Sequence, residues 1–136
     1  MGRAPQLKLL LDTHVWLWLV LEPERLSRKA TAVVADTANE VFLSPISVWE
    51  TLVLARRGRI DLTPDPQAWV GAALGRTAAT AVELTHAIAL RSETLPGFRS
   101  RDPADRFLVA TALVADLALV TADRAMRRYR PLRTVW

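Results

Sequence analysis

Four carboxylates carry the chemistry this sequence is able to do. Asp12 closes the apolar run Leu7-Lys8-Leu9-Leu10-Leu11, and Asp123 closes Leu119-Val120-Thr121-Ala122-Asp123. Glu50 stands in Ser44-Pro45-Ile46-Ser47-Val48-Trp49-Glu50, and Asp105 in Asp102-Pro103-Ala104-Asp105-Arg106. Acids brought together from four distant segments repel one another, and a divalent cation removes that conflict. Hard oxygen ligands suit Mg²⁺ or Mn²⁺. Such a centre can hydrolyse phosphodiesters, because the cation acidifies water and neutralises charge growing on the phosphate. Two ions roughly 3.5–4 Å apart also stabilise the leaving oxygen. Each acid has a plainer reading beside this one. Asp12 and Asp123 suit helix caps, Ser47-Val48-Trp49-Glu50 matches a capping box, and Asp102-Pro103-Ala104-Asp105 reads as cap, first-position proline and first-turn acid. The two readings are compatible.

The elements that must position these acids follow from the apolar pattern. Short β-like runs alternate with helical ones, which predicts one α/β domain over residues 1–136, with a mainly parallel sheet of about four to five strands and helices on both faces. Strands are expected at Leu7–Leu11, Val41–Ser44, Thr80–Leu84, Ala118–Thr121 and Leu132–Val135. An apolar helix from His14 to Leu21 should be buried on most sides. Ser27 caps a helix to about Ala38, a further helix runs from Val48 to Arg57 with Gly58 as its stop, and a weaker one passes through Trp69 and Leu74. Thr85 caps a helix to about Glu93. The longest helix starts at Asp102, with Phe107, Ala110, Val114 and Leu117 forming its inward face. In an open α/β sheet the loops after the carboxyl ends of strands build the ligand site, which is where Asp12, Glu50 and Asp123 fall.

Composition narrows the function further. The 136 residues hold no cysteine, so disulfides and thiolate metal sites are excluded, in keeping with a cytoplasmic protein. The apolar stretch Val15–Leu21 is too short to span a bilayer and reads as core, with no targeting segment visible. A net charge of +4, with every base but Lys8 and Lys29 an arginine, favours an acidic partner such as nucleic acid. Arg56, Arg57 and Arg59 form one basic group, and Arg124, Arg127, Arg128, Arg130 and Arg133 a second that follows Asp123. Either can meet an RNA backbone or an acidic protein segment, or form a solvated face. His14 and His86 lack metal-ligand spacing and read as structural or surface residues. Trp16, Trp18, Trp49, Trp69 and Trp136 read mostly as core or dimer packing rather than a base-stacking platform.

With those residues in view, the sequence resembles PIN-domain ribonucleases, in particular the VapC-like toxins of type II toxin–antitoxin modules. The most specific pieces are Leu10-Leu11-Asp12-Thr13-His14-Val15-Trp16-Leu17-Trp18, Ser47-Val48-Trp49-Glu50 with Gly58-Arg59-Ile60, the Asp102–Arg106 box and Leu119–Asp123. The resemblance implies that Asp12, Glu50, Asp105 and Asp123 bind Mg²⁺ or Mn²⁺, as one or two ions. It also implies an endoribonuclease, a homodimer and a cognate antitoxin that blocks the site. On this reading Asp12 and Asp105 hold the principal metal, while Glu50 and Asp123 act through water or a second ion. Thr13, Ser47, Asp102 and Thr121 orient them, and Arg106, Arg124, Arg127 and Arg128 are candidates for RNA contact. Arg106 can equally pair with Asp102 or Asp105. The chain departs from the family's habit in two places, with Ser100 where a histidine is common and Ala104 where phenylalanine is common. Competing readings are a metal-dependent phosphatase or DNA nuclease, and a non-catalytic module that binds RNA or a partner.

Overall fold

The computed structural model describes residues 6–136. Five parallel strands form one sheet in the order β3-β2-β1-β4-β5: β1 Lys8–Leu11, β2 Glu40–Leu43, β3 Thr80–Ala81, β4 Ala118–Val120 and β5 Thr134–Val135. The helices among these residues are α1 Thr13–Leu21, α2 Arg28–Ala35, α3 Pro45–Arg56, α4 Pro66–Arg76, α5 His86–Ser92, α6 Pro103–Ala115 and α7 Arg124–Arg128, with a 3₁₀ turn at Pro23–Arg25. The chain winds outward from β1 through β2 to β3, then crosses back to lay β4 and β5 on the other side of β1. The reversal between β1 and β4 is the place where loops diverge and leave a crevice at the carboxyl edge.

A central parallel strand is covered on both faces and must be apolar throughout. Leu9, Leu10 and Leu11 are accordingly buried completely. Their alternation splits the core in two. Leu9 and Leu11 pack with Trp16 of α1, Ala30 of α2, and Val70 and Ala73 of α4. Leu10 faces the other way, with Leu119, Leu108, Val109 and Ala112 of α6 and Met126 of α7. Register is fixed on both sides: Leu10 lies opposite Phe42 of β2 and Leu119 of β4. Four of the five tryptophans are packing residues. Trp16 is buried with its ring N–H on Thr77 Oγ1 at 3.1 Å and its ring edge-on to Trp69. Trp18 lies between the Arg25 guanidinium, 4.5 Å from its ring centre, and Trp136. Trp49 is half exposed.

The expected strands are all present, though several are shorter: β3 is Thr80–Ala81 rather than Thr80–Leu84, continued by one bond from the Val82 N–H to the Leu43 carbonyl at 3.1 Å, β4 ends at Val120, and β5 is Thr134–Val135 rather than Leu132–Val135. Three helix expectations need correction. α3 begins at Pro45 rather than Val48, because Ser44 caps it through Ile46 N–H at 3.0 Å and a proline fits the first position; Ser47 caps nothing, and its box with Glu50 does not form. α2 stops at Ala35, where Asp36 turns extended, so Ala38 leaves the helical face. In α6 Ala110 and, just past its end, Leu117 are buried as expected, but Val114 is exposed and Phe107 only half-buried, and the inward face also takes in Ala104, Leu108 and Ala112. A helix apolar nearly all round admits either face by spacing alone. The remaining caps stand as read: Ser27 on Ala30 N–H, Thr85 on Ile88 N–H, and Gly58 in the left-handed region (φ 70°) after α3.

Because Leu10 joins β1 to the α6 layer without any exposure, Leu10→Ala should cost about 3 kcal/mol by loss of transfer energy and creation of a cavity. Urea unfolding followed by circular dichroism measures it. A loss under about 1 kcal/mol would show that this layer does not bear on stability as its burial implies.

Candidate active site

Asp12 sits where β1 ends, and its position is over-determined. Its backbone N–H extends the parallel ladder to the Val120 carbonyl at 3.0 Å. One carboxylate oxygen accepts the Thr13 N–H at 2.8 Å and caps α1, while the other accepts the Thr121 hydroxyl at 2.7 Å. The residue is only 7% exposed. Burial therefore pushes its carboxyl above the ordinary range, with Glu50 adding a like charge; the Thr121 hydrogen bond, the charge of His14 and the Thr13 N–H oppose the shift. The Thr121 hydroxyl also accepts the Asp123 N–H at 3.0 Å, so one side chain holds two acids in register. Asp123 caps α7 through Met126 N–H at 3.0 Å.

Glu50 arrives on α3. The correction to that helix matters here: starting three residues earlier, it leaves the Glu50 carboxylate free of capping duty, one and a half turns in. α3 is fastened to the end of β1 by the Thr13 hydroxyl, which donates to Ser47 Oγ at 2.9 Å, both residues being fully buried. Thr51 in turn donates to the Ser47 carbonyl at 2.8 Å. Thr13 and Ser47 thus act on the site by holding two carboxylate-bearing elements together.

Asp105 lies in the first turn of α6, whose cap is Asp102, accepting Ala104 N–H at 2.9 Å and Asp105 N–H at 3.4 Å. The Asp105 carboxyl is pushed up to about 7, first by burial, then by the charges of Asp102, Asp12 and Asp123, against a hydrogen bond from Ser100 at 3.2 Å. The three charges act on Asp105 because these acids lie close to it.

A cleft of about 390 Å³ is lined by Asp12, Glu50, Asp102, Asp105 and Asp123 together with His14 and Trp18. All four acids singled out from the sequence therefore meet, and Asp102 joins them. Among the described residues, no three His, Asp or Glu side chains stand close enough to enclose an ion unaided. The donors nevertheless fit a hard divalent cation that keeps several waters, as Mg²⁺ does: they are oxygens, and the repulsion loading Asp105 is what a cation would relieve. Residue pattern alone missed three neighbours. His14 and Trp18 reach the cleft from the first turns of α1, a position readable from their spacing after Asp12. Ser100 sits on an irregular loop, where spacing gives no direction.

The arginines separate. Arg106 does not line the cleft, and it pairs with neither Asp102 nor Asp105; its guanidinium meets the Ser92 and Ser100 carbonyls and Glu93. Arg124, Arg127 and Arg128 are exposed and, with Thr134, line a second concavity of about 490 Å³ beside α7. Arg59 and Arg25 border an apolar groove that shares His14 and Trp18 with the cleft.

Comparison with known proteins agrees with this architecture. The PIN domain family model matches residues 9–131. Ribonuclease VapC22 of Mycobacterium tuberculosis is 38% identical over 129 residues, covering 93% of this chain and 97% of the relative. The crystal structure of VapBC2 from Rickettsia felis, bound to a DNA fragment from its promoter, superposes with a TM-score of 0.73 at 14% identity, covering 96% of this chain and 99% of the other. VapBC-1 from nontypeable Haemophilus influenzae gives 0.71 at 15% identity, covering 95% and 97%. With a family model spanning almost the whole sheet and a relative aligned nearly end to end, this chain belongs to the PIN-domain family.

Proposed function

We propose that the chain is an endoribonuclease that hydrolyses RNA phosphodiesters with Mg²⁺ or Mn²⁺, and that it is the toxin of a toxin–antitoxin pair. One observation carries the chemistry: Asp12, Glu50, Asp105 and Asp123 converge on a single cleft at the β1/β4 reversal. The relative named as a ribonuclease supports RNA as substrate, and structural neighbours described as VapBC complexes support a protein antitoxin. Asp12 and Asp105 would hold the principal ion, with Glu50 and Asp123 beside it in the cleft. A cation there supplies positive charge against the phosphate and a more acidic water. Glu50 or Asp123 takes up the proton released as water attacks. Thr13, Ser47, Asp102 and Thr121 keep the carboxylates aimed. Arg124, Arg127 and Arg128, directly beyond Asp123, hold the flanking RNA backbone.

Partly exposed Trp49, Leu74 and Leu21 offer apolar surface for homodimerisation, which sedimentation would read out. Among the described residues no helix is long and apolar enough to cross a membrane; an RNA substrate and a protein antitoxin support a cytoplasmic setting.

Three outcomes test this reading. Purified chain should cut total cellular RNA with Mg²⁺ or Mn²⁺, stop in excess EDTA, and lose at least about a hundredfold in rate on Asp12→Asn, in line with the loss of a charge-stabilising group. Equal cutting by the mutant would remove Asp12 from the chemistry. The second outcome concerns pH. The Asp105 carboxyl titrates near 7 in the fold against 3.8 in an open chain, so the folded protein holds more protons between those values and loses stability as pH rises through them. Metal-free Asp105→Asn should therefore be more stable than wild type at pH 8, by on the order of 1 kcal/mol after allowing for solvent screening, and the gap should close near pH 4. A gap independent of pH would contradict the assignment. Third, reversing the charge at Arg127 and Arg128 together should weaken RNA binding and reduce its log–log salt slope by about 2. An unchanged slope would leave both arginines as plain surface.

A further inference from the structure

The side chain that follows Asp105 is built into the loop that precedes it. Arg106 turns away from the cleft, its side chain 19% exposed. Its Nε donates to the Ser92 carbonyl at 2.8 Å, and its Nη1 to the Ser100 carbonyl at 2.9 Å and the Phe98 carbonyl at 3.4 Å. Nε also lies 3.3 Å from Glu93. Ser92 ends α5, where helical carbonyls lack partners and a positive charge is favoured. A second anchor holds the same loop: the Tyr129 hydroxyl donates to the Pro96 carbonyl at 2.9 Å, and its ring packs on Phe98. At the end of the loop the Ser100 hydroxyl donates to Asp105 Oδ2 at 3.2 Å and accepts the Asp102 N–H at 3.3 Å.

We propose that Arg106 is a positioning residue for the Asp105 carboxylate, acting through the backbone of residues 98–100 to keep the Ser100 hydroxyl on Asp105 Oδ2. The inference rests on reading the cleft as a divalent-metal site. Backbone bonds shape this loop as far as the Phe98 N–H, which reaches the Leu95 carbonyl at 3.1 Å; residues 99–101 lie outside any helix or strand, and side chains set their course up to the Asp102 cap. A planar guanidinium can satisfy carbonyls from two segments at once; an ammonium lacks that fork. Asp105 is surrounded by like charge from Asp102, Asp12 and Asp123, which favours swinging its carboxylate out of the cleft. A hydroxyl on one oxygen opposes that swing and leaves the other oxygen for a cation, the usual way an outer hydrogen bond orients a ligand. Arg106 and Asp105 are adjacent in sequence, so the helix that presents the acid also carries the brace.

Mn²⁺ titration of the full chain, followed by electron paramagnetic resonance, tests this. Wild type, Ser100→Ala, Arg106→Gln and the double variant are compared, each first shown folded by circular dichroism. Either single change should raise the Mn²⁺ dissociation constant about tenfold, the low end for losing an outer-shell partner. The double variant should bind no more weakly than the weaker single, since both break one link. Ser100→Thr, which keeps the hydroxyl, should bind as wild type does. Should Arg106→Gln fail to fold, Arg106→Lys keeps a charge at the end of α5 but loses the fork, and the same tenfold rise is expected. Unchanged binding by Ser100→Ala, or single effects that multiply in the double variant, would overturn the inference while leaving the cleft a metal site. Absence of Mn²⁺ binding by the wild type would sink both together.

Discussion

A carboxylate buried at the end of the central strand sets the terms for the rest of the molecule. Asp12 cannot move: the ladder bond to Val120 fixes its backbone, and α1 starts on its side chain. Burying a charge is costly unless hydrogen bonds meet it, and here one comes from the chain's own next N–H and one from Thr121. The second partner belongs to the neighbouring strand's extension. Asp12 therefore cannot be satisfied unless β4 lies beside β1 in the observed register, and the same hydroxyl then sets Asp123. The site and the sheet topology are one solution to one electrostatic problem.

The helices contribute through their beginnings. Asp12, Asp102 and Asp123 each cap a helix while lining the cleft, and Asp105 lies in a first turn. Capping restricts a short side chain to one rotamer, so the orientation of three acids costs little beyond what the helices already require. Glu50 is the exception. It stands on the flank of α3, and its placement depends on a buried hydroxyl pair, Thr13 with Ser47, and on the packing of α3 against α1 and α6.

Much of this was legible before any coordinates. The strand-ending acids and the capping residues are local signals, and the order of strands and helices follows from alternating periodicity. What escaped was whatever depended on three-dimensional neighbours. The true start of α3 was hidden because two serines, Ser44 and Ser47, both precede plausible helix, and the proline after Ser44 decides between them. The inward face of α6 was ambiguous because apolar residues surround it. The direction of Arg106 had no sequence signature, since an arginine beside an acid suggests an ion pair with it, and only the loop's fold shows carbonyls closer.

The sheet's two borders have a consequence for how the chain meets others. β3 and β5 are two residues each, while the four-residue strands lie inside. A border this short offers too few open backbone groups to seed pairing with a further strand. Growth into ribbons or fibrils by edge addition is thereby discouraged, even at high concentration. Any lasting association must instead be made by helix surfaces and grooves, where side chains rather than backbone decide the company the molecule keeps.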